Sequence, residues 1–419
     1  MAVYLKRAKS PTTEQWAAMA CVLFFCFQAV RLVINTLFGR FLTLETAFYL
    51  EALLVFVPVV VSLLKSRRID FYSIAVVAVV LVLFAATLFI HPEYESVILH
   101  PDSGLWAKVI SVTGGVLGFY FIRKCQDSRT LYKAMKIVAI VLFLLYFWRP
   151  IEVLQNGYWT LTREDGTIKY SIKSMSFSYN ILMPVLLMAA FWLREKKIIY
   201  LACVLFGFFE ILVFGSRGSI VCCVLFIALY ILFIYSGKMG GVKAFFVALL
   251  IVLVGIIFTS SAVLQLLINL LDSIGVSSRS LNSLLSGDIA DSNGRFDIWI
   301  NSISLLSSNG YLGCGIFADQ YNFGRGDYTH NIFIELLVDF GLLVGSVLIL
   351  LLIAAVCRTL CKCGDNDASV IFIAFCSYSF GYLFFSSSLW YCAQFWGMLG
   401  LISMRSNILP REENASGDA

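Results

Sequence analysis

Histidine is nearly missing from this chain, with only His91, His100 and His330 in 419 residues. The Cys361-Lys362-Cys363 triplet has no second cysteine pair and no histidine beside it, which excludes the spacing of a structural zinc site. Charge is sparse as well: 14% of residues are charged against 60% hydrophobic, and the mean hydropathy is +0.87. So few charges exclude a soluble core-and-shell protein and point to a polytopic membrane protein. The net charge of +5 comes from dispersed Lys and Arg with no massed basic patch, so no nucleic-acid partner is expected. There is no short-period repeat and no low-complexity tract. The first apolar run lacks a small-residue cleavage site and reads as a retained span. Of the twelve cysteines, Cys21, Cys26, Cys203, Cys222, Cys223 and Cys376 lie inside apolar runs, where a thiol behaves as a small hydrophobe. No disulfide framework, metal or cofactor is expected.

What the chain does have is hydrocarbon-seeking length. Apolar runs fall near 16–38, 46–64, 70–90, 105–122, 131–148, 176–193, 198–214, 217–236, 243–262, 330–356, 368–388 and 390–404. Each approaches the length that crosses a bilayer core, so the expected fold class is all-α, a membrane helix bundle of about twelve spans forming one integral domain over 1–419. Basic residues gather at alternate ends of these runs: Lys6, Arg7 and Lys9, then Lys65, Arg67 and Arg68, then Arg123 to Lys136, Arg194 to Lys197, Lys238 and Lys243, Arg358 and Lys362, and Arg405 and Arg411. Arg31 and Lys108 fall inside spans. The positive-inside bias then predicts both termini in the cytoplasm, with Arg217, Arg295 and His330 on the outer face.

Three outer segments and a tail stand apart from the spans. His91 to Gly104 reads as a short acidic loop. Within 149–175, alternating residues flank Glu164-Asp165-Gly166-Thr167, the pattern of a small β-hairpin. The large outer loop 263–329 opens with helically spaced apolar residues suited to an interface and continues through a Ser-rich stretch. It then presents a second amphipathic helix near 294–308, preceded by cap-type residues Asp291 to Asn293. The polar tail 405–419 is expected to be a disordered cytoplasmic segment.

Chemistry-bearing residues crowd between Asn293 and Gly341. His330 opens the run N-I-F-I-E-L-L-V-D-F-G, and a helix N-terminus disfavours imidazolium, keeping the ring available as a base. Asn331, Glu335 and Asp339 follow at i, i+4 and i+8, a polar stripe several turns into hydrocarbon, where carboxylates face a cavity or a partner. Tyr328 stands just before the histidine. Arg217 lies in G-S-R-G-S, where small neighbours permit close approach and a helix start aims N–H groups at an anion. Arg295 follows Asn293-Gly294 with the same logic and stands four residues before Trp299. Two guanidiniums from separate segments suit bidentate capture of pyrophosphate.

These residues carry a resemblance. The G-S-R-G-S junction, the R-x3-W pair followed by G-Y-L-G-C-G, and His330-Asn331 followed by Gly341 are similar to the O-antigen polymerase and ligase superfamily (Wzy-like). The match by motif covers 215–218 and 293–345. The resemblance implies a multi-span bacterial cytoplasmic-membrane enzyme that uses undecaprenyl-pyrophosphate-linked oligosaccharides on the outer face, working in O-antigen, capsule or exopolysaccharide assembly. It implies a catalytic role for His330 and pyrophosphate binding by Arg217 and Arg295, with Asn331, Glu335, Tyr328 and Trp299 in support. Where the ligase branch commonly has two residues and a Thr after the glycine, this chain has Leu342, Leu343 and Val344, which weakens the resemblance to the ligase branch. The expected activity is metal-independent glycosyl transfer, with membrane lipid, a flippase and a chain-length regulator as partners. The alternatives are an O-antigen ligase-type transferase and, from another class, a lipid-linked oligosaccharide flippase or transporter; internal repeats and helices broken at mid-bilayer would mark the last.

Overall fold

In lipid every backbone N–H and C=O must be satisfied within its own segment, so the long apolar runs become helices. A computed structural model describes residues 12–38, 44–66, 70–101, 103–111, 114–156, 159–162, 168–171, 175–214, 216–235, 261–273, 282, 285, 295–324 and 328–404. Helix α1 (Thr13–Phe25) starts at a capping box: Thr12 N donates to Gln15 Oε1 at 2.8 Å, and Gln15 N donates back to Thr12 Oγ1 at 3.3 Å. Next come α2 (Phe27–Phe38), α3 (Leu44–Ser66), α4 (Phe71–Ile90), α5 (Leu117–Lys124) and α6 (Ser128–Asn156). An antiparallel strand pair, β1 (Trp159–Thr162) with β2 (Ile168–Ser171), leads to α7 (Met175–Glu195), α8 (Ile198–Phe214) and α9 (Arg217–Tyr230). The strands register Trp159 with Ser171 and Thr162 with Ile168. Beyond them lie α10 (Ser261–Ser273), α11 (Arg295–Ser308), α12 (Ala318–Phe323), α13 (Ile332–Leu360), α14 (Asp367–Phe385) and α15 (Ala393–Ser403).

Among the described residues five helices are long and apolar enough to cross a membrane: Phe71–Ile90, Ser128–Trp148, Phe177–Glu195, Ile332–Leu360 and Asp367–Phe385. A sixth exists if α1 and α2, bent by 76°, count as one span. The expectation of about twelve is not confirmed by these described residues, and several of the apolar runs take other forms. Residues 105–122 form no continuous helix. A wide turn, Leu105–Val109, is followed by Gly114, Gly115 and Gly118, of which the last two abut the backbone of residues 390–393 so closely that a Cβ would collide. The runs 198–214 and 217–236 yield shorter helices, and 390–404 yields only Ala393–Ser403. The run 243–262 and the tail lie outside the described residues, apart from Ser261 and Ala262, which open α10. Helix α6 continues to Asn156, so the outer loop predicted to begin at 149 begins later.

Helix α14 is the centre, buried along nearly its whole length and packed against α6, α7, α9 and α15. Helices α4 and α13 are exposed along much of theirs, as lipid-facing helices would be. The two cations read as lying inside spans have different explanations. Arg31 is bound to the buried Glu51 of α3 through Nε to Oε1 at 2.9 Å and Nη2 to Oε2 at 3.0 Å, a pairing that offsets the cost of charge within an apolar bundle. Lys108 belongs to the wide turn and not to a span.

Candidate active site

The site begins with a broken helix. Helix α13 is interrupted at Gly341, whose backbone has φ +82°, and the glycine strip Gly310 to Gly315 fills the gap. Cys314 N donates to Val338 O at 2.8 Å, Gly315 N to Asp339 O at 3.2 Å, and Leu342 N to Tyr311 O at 2.9 Å. Carbonyls and amides freed by the break are thereby paired with protein. A Cβ on Gly341 would sit 2.6 Å from Gly313 N, and one on Gly313 would sit 2.6 Å from Asp339 O, so close backbone approach explains both glycines. The strip is held from its other side by α4, where Thr87 Oγ1 accepts from Ile316 N at 3.2 Å.

His330 lies one residue outside the helix it was expected to open. Asn331 is the cap, its Oδ1 accepting from Phe333 N at 3.0 Å and Ile334 N at 3.4 Å, and the helix proper starts at Ile332. His330 takes a left-handed backbone, φ +52°, a strained conformation for a side chain of its size. The residues on either side enforce it. Thr329 N and Oγ1 both donate to Asp319 Oδ2, at 2.9 and 3.2 Å, and Trp299 Nε1 donates to Thr329 O at 2.9 Å. Tyr328 donates from its hydroxyl to Ser386 O at 3.0 Å, and its ring lies 4.3 Å from the half-buried His330 ring. Burial raises the Asp319 carboxyl above its ordinary value, partly countered by hydrogen bonds from Thr329 and Gln320. Burial also pushes the Tyr328 hydroxyl up, so it remains a donor.

The polar stripe faces a partner. Ser388 Oγ donates to Glu335 Oε1, Leu389 N donates to Oε2 at 3.0 Å, and Trp390 Nε1 donates to Asp339 Oδ2 at 2.9 Å. Both carboxylates are buried, and both are engaged by the turn between α14 and α15. That turn was invisible in the sequence, where the last two apolar runs seem to touch. Its only signal is the polar break Ser386-Ser387-Ser388 ahead of Leu-Trp-Tyr.

The arginine segments meet the same end of α14 from the other side. Arg217 is the first residue of α9, and Ser216 before it joins a buried hydroxyl cluster: Ser216 N donates to Ser178 Oγ at 3.1 Å, and Ser219 Oγ donates to Ser178 Oγ at 2.9 Å. Tyr179 packs its hydroxyl against Gly218 and its ring on Tyr382 of α14 at 4.3 Å. Arg295, first residue of α11 and half-buried, lies within electrostatic reach of that hydroxyl. One turn along α11, Trp299 holds the carbonyl beside His330 and packs on Phe384. The C-terminal end of α14 thus touches all three segments: Phe385 reaches Gly218, Phe384 reaches Trp299, and Ser386 reaches Tyr328. Asp319, Thr329, Tyr179 and the Ser386–Tyr391 turn are contributors that sequence reasoning missed. Among the described residues no group of three or more His, Cys, Asp or Glu is arranged to hold a metal ion.

No curated protein and no solved structure matches the chain. Residues 201–350, which run from α8 into the second half of α13 and include Arg217, Arg295 and His330, match the family model Wzy_C, described as O-antigen ligase, and this match supports the O-antigen polymerase and ligase superfamily.

Proposed function

We propose that this protein is a polymerase of oligosaccharide repeat units carried on undecaprenyl pyrophosphate, working on the outer face of the bacterial cytoplasmic membrane. Members of the matched family are glycosyl-transfer enzymes that act on lipid-linked oligosaccharides. The observation that carries the reading is α11, which bears Arg295 at its start and, one turn later, the Trp299 indole that hydrogen-bonds beside His330. A single rigid element therefore links an anion-binding group to a candidate base.

In the reaction, an acceptor sugar hydroxyl attacks the anomeric carbon of a chain attached to lipid pyrophosphate. The new glycosidic C–O bond forms as the bond to the pyrophosphate oxygen breaks, and that oxygen leaves with the electron pair. His330 takes the hydroxyl proton. Arg217 and Arg295 hold the pyrophosphate and stabilise its developing charge, the work a metal ion does in other transferases. Tyr328 and Asn331 position the histidine, and Glu335 anchors the helix behind it to the turn at Ser388.

The ligase reading has one observation in its favour, that the matched family is described as O-antigen ligase. The transporter reading gains the helix broken at Gly341, although the break here is sealed by the glycine strip. Proteoliposomes containing only this protein and purified lipid-linked repeat units separate all three. Lengthened chains are the expected product. Transfer only when a distinct acceptor is supplied would replace polymerase by ligase, and translocation without transfer would overturn both.

A further inference from the structure

Trp16, Tyr120, Tyr179 and Glu210 are among the buried polar side chains that have an atom with no hydrogen-bond partner. A buried donor left unpaired is costly, and one kept at a site calls for a partner supplied from outside. Tyr179 is the one whose hydroxyl lies against Gly218, the second residue of α9. Its ring is fixed by Tyr382, and the hydroxyl comes close to Ser216. The Ser178, Ser216 and Ser219 hydroxyls bond one another, and the Tyr179 hydroxyl beside them has no hydrogen-bond partner. Arg295 adds positive potential on that hydroxyl from α11, and the start of the fourteen-residue α9 adds the N-terminal end of its dipole.

We infer that the Tyr179 hydroxyl is a further ligand of the pyrophosphate, donating a hydrogen bond to a phosphoryl oxygen held between the start of α9 and Arg295. The inference rests on the pyrophosphate role of the arginines given above, and adds to it a neutral, rigid donor from α7. A phenol at this position supplies direction without another charge, and its hydrogen bond strengthens as negative charge gathers on the leaving oxygen. Gly218 is required for the same arrangement, because a Cβ there would collide with the hydroxyl and push it away.

The test uses the full chain in detergent with farnesyl pyrophosphate as the probe, its affinity measured by calorimetry for the wild type and for Tyr179→Phe, Gly218→Ala and Arg295→Ala. Tyr179→Phe keeps the ring on Tyr382, so its melting temperature should be unchanged while affinity falls by roughly 10- to 100-fold, the worth of one hydrogen bond to a charged group. Gly218→Ala should weaken binding in the same sense and serves alone if the Phe variant does not fold. Arg295→Ala should weaken binding at least as much. If Arg295→Ala weakens binding while Tyr179→Phe and Gly218→Ala bind as the wild type does, the tyrosine inference is overturned and the arginine reading stands. If the wild type does not bind, or Arg295→Ala binds normally, both are overturned.

Discussion

At the scale of single residues, His330 and Arg295 answer different questions, and their substitutions should fail differently. His330→Gln retains a hydrogen-bonding group of similar reach but no usable base, so polymer formation should drop ~10²–10⁴-fold while lipid-linked single repeats accumulate. Long polymer from that variant, measured on gels of extracted glycan, would remove the base from the mechanism. Arg295→Lys keeps its charge and loses the planar fork, and a sharp loss of activity in protein that still inserts is expected. Near-normal chain length there would assign Arg295 to structure alone. The positioning shell is testable through Asp319→Asn, which keeps its size but weakens the acceptor for Thr329 N and Oγ1. That variant should lower turnover with little change in substrate affinity, because it loosens the His330 backbone and leaves the arginines in place. An equal loss in both quantities would count against a positioning role.

At the scale of elements, the broken helix and the strip that seals it form one unit. Gly341→Ala places a Cβ against Gly313 N in a left-handed backbone, and should cost at least ~2 kcal/mol in stability, seen as a lower melting temperature in detergent. A variant as stable as the wild type would mean that the break tolerates a side chain and is not held by the strip. The Arg295–Trp299 spacing, the helix near 294–308 and the glycines were legible in the sequence because each is a local pattern. The pairing of those glycines with residues 338–342 was not, since backbone-to-backbone contact leaves no signature beyond the absence of Cβ atoms. Arg31 with Glu51, and Glu335 with Ser388, were hidden for another reason: the partners sit on different helices, and periodicity within one helix says nothing of what faces it. The same limit applies to the apolar runs near 105–122 and 368–404, because hydropathy windows register apolar length and not the breaks at Gly114 or Ser386 to Ser388.

At the scale of the whole molecule, two measurements address orientation and acid stability. In a cysteine-depleted background, Gly166→Cys and Asp288→Cys should react with an impermeant thiol reagent from outside, and Lys196→Cys only from within. Labelling of position 166 only after lysis would reverse the topology and move the proposed site to the cytoplasm. At the opposite ends of α4, α5 and α15, Arg123 binds Asp70 through Nε at 2.7 Å and Ser403 through Nη1 at 2.6 Å. Burial raises the Asp70 carboxyl, but hydrogen bonds from Arg123 and Ser73 outweigh it and hold the group below its ordinary value. A carboxylate with a depressed folded-state value stabilises the protein above the unfolded value of ~3.9, and that contribution disappears as pH falls through the folded one. The melting temperature of wild type should therefore exceed that of Asp70→Asn at neutral pH and converge on it in acid; a gap that persists in acid would assign the effect to packing. One consequence concerns the order in which the chain is made. Glu335 and Asp339 are synthesised about fifty residues before the turn at Ser388 to Trp390 that neutralises their exposure to hydrocarbon. Until that turn leaves the ribosome, the first half of α13 carries two unsatisfied carboxyl groups on a nine-residue helix too short to cross a bilayer alone. The half-helix and the histidine loop it supports gain these partners only with the last hairpin, so the proposed site is complete only once the C-terminal segment has been made.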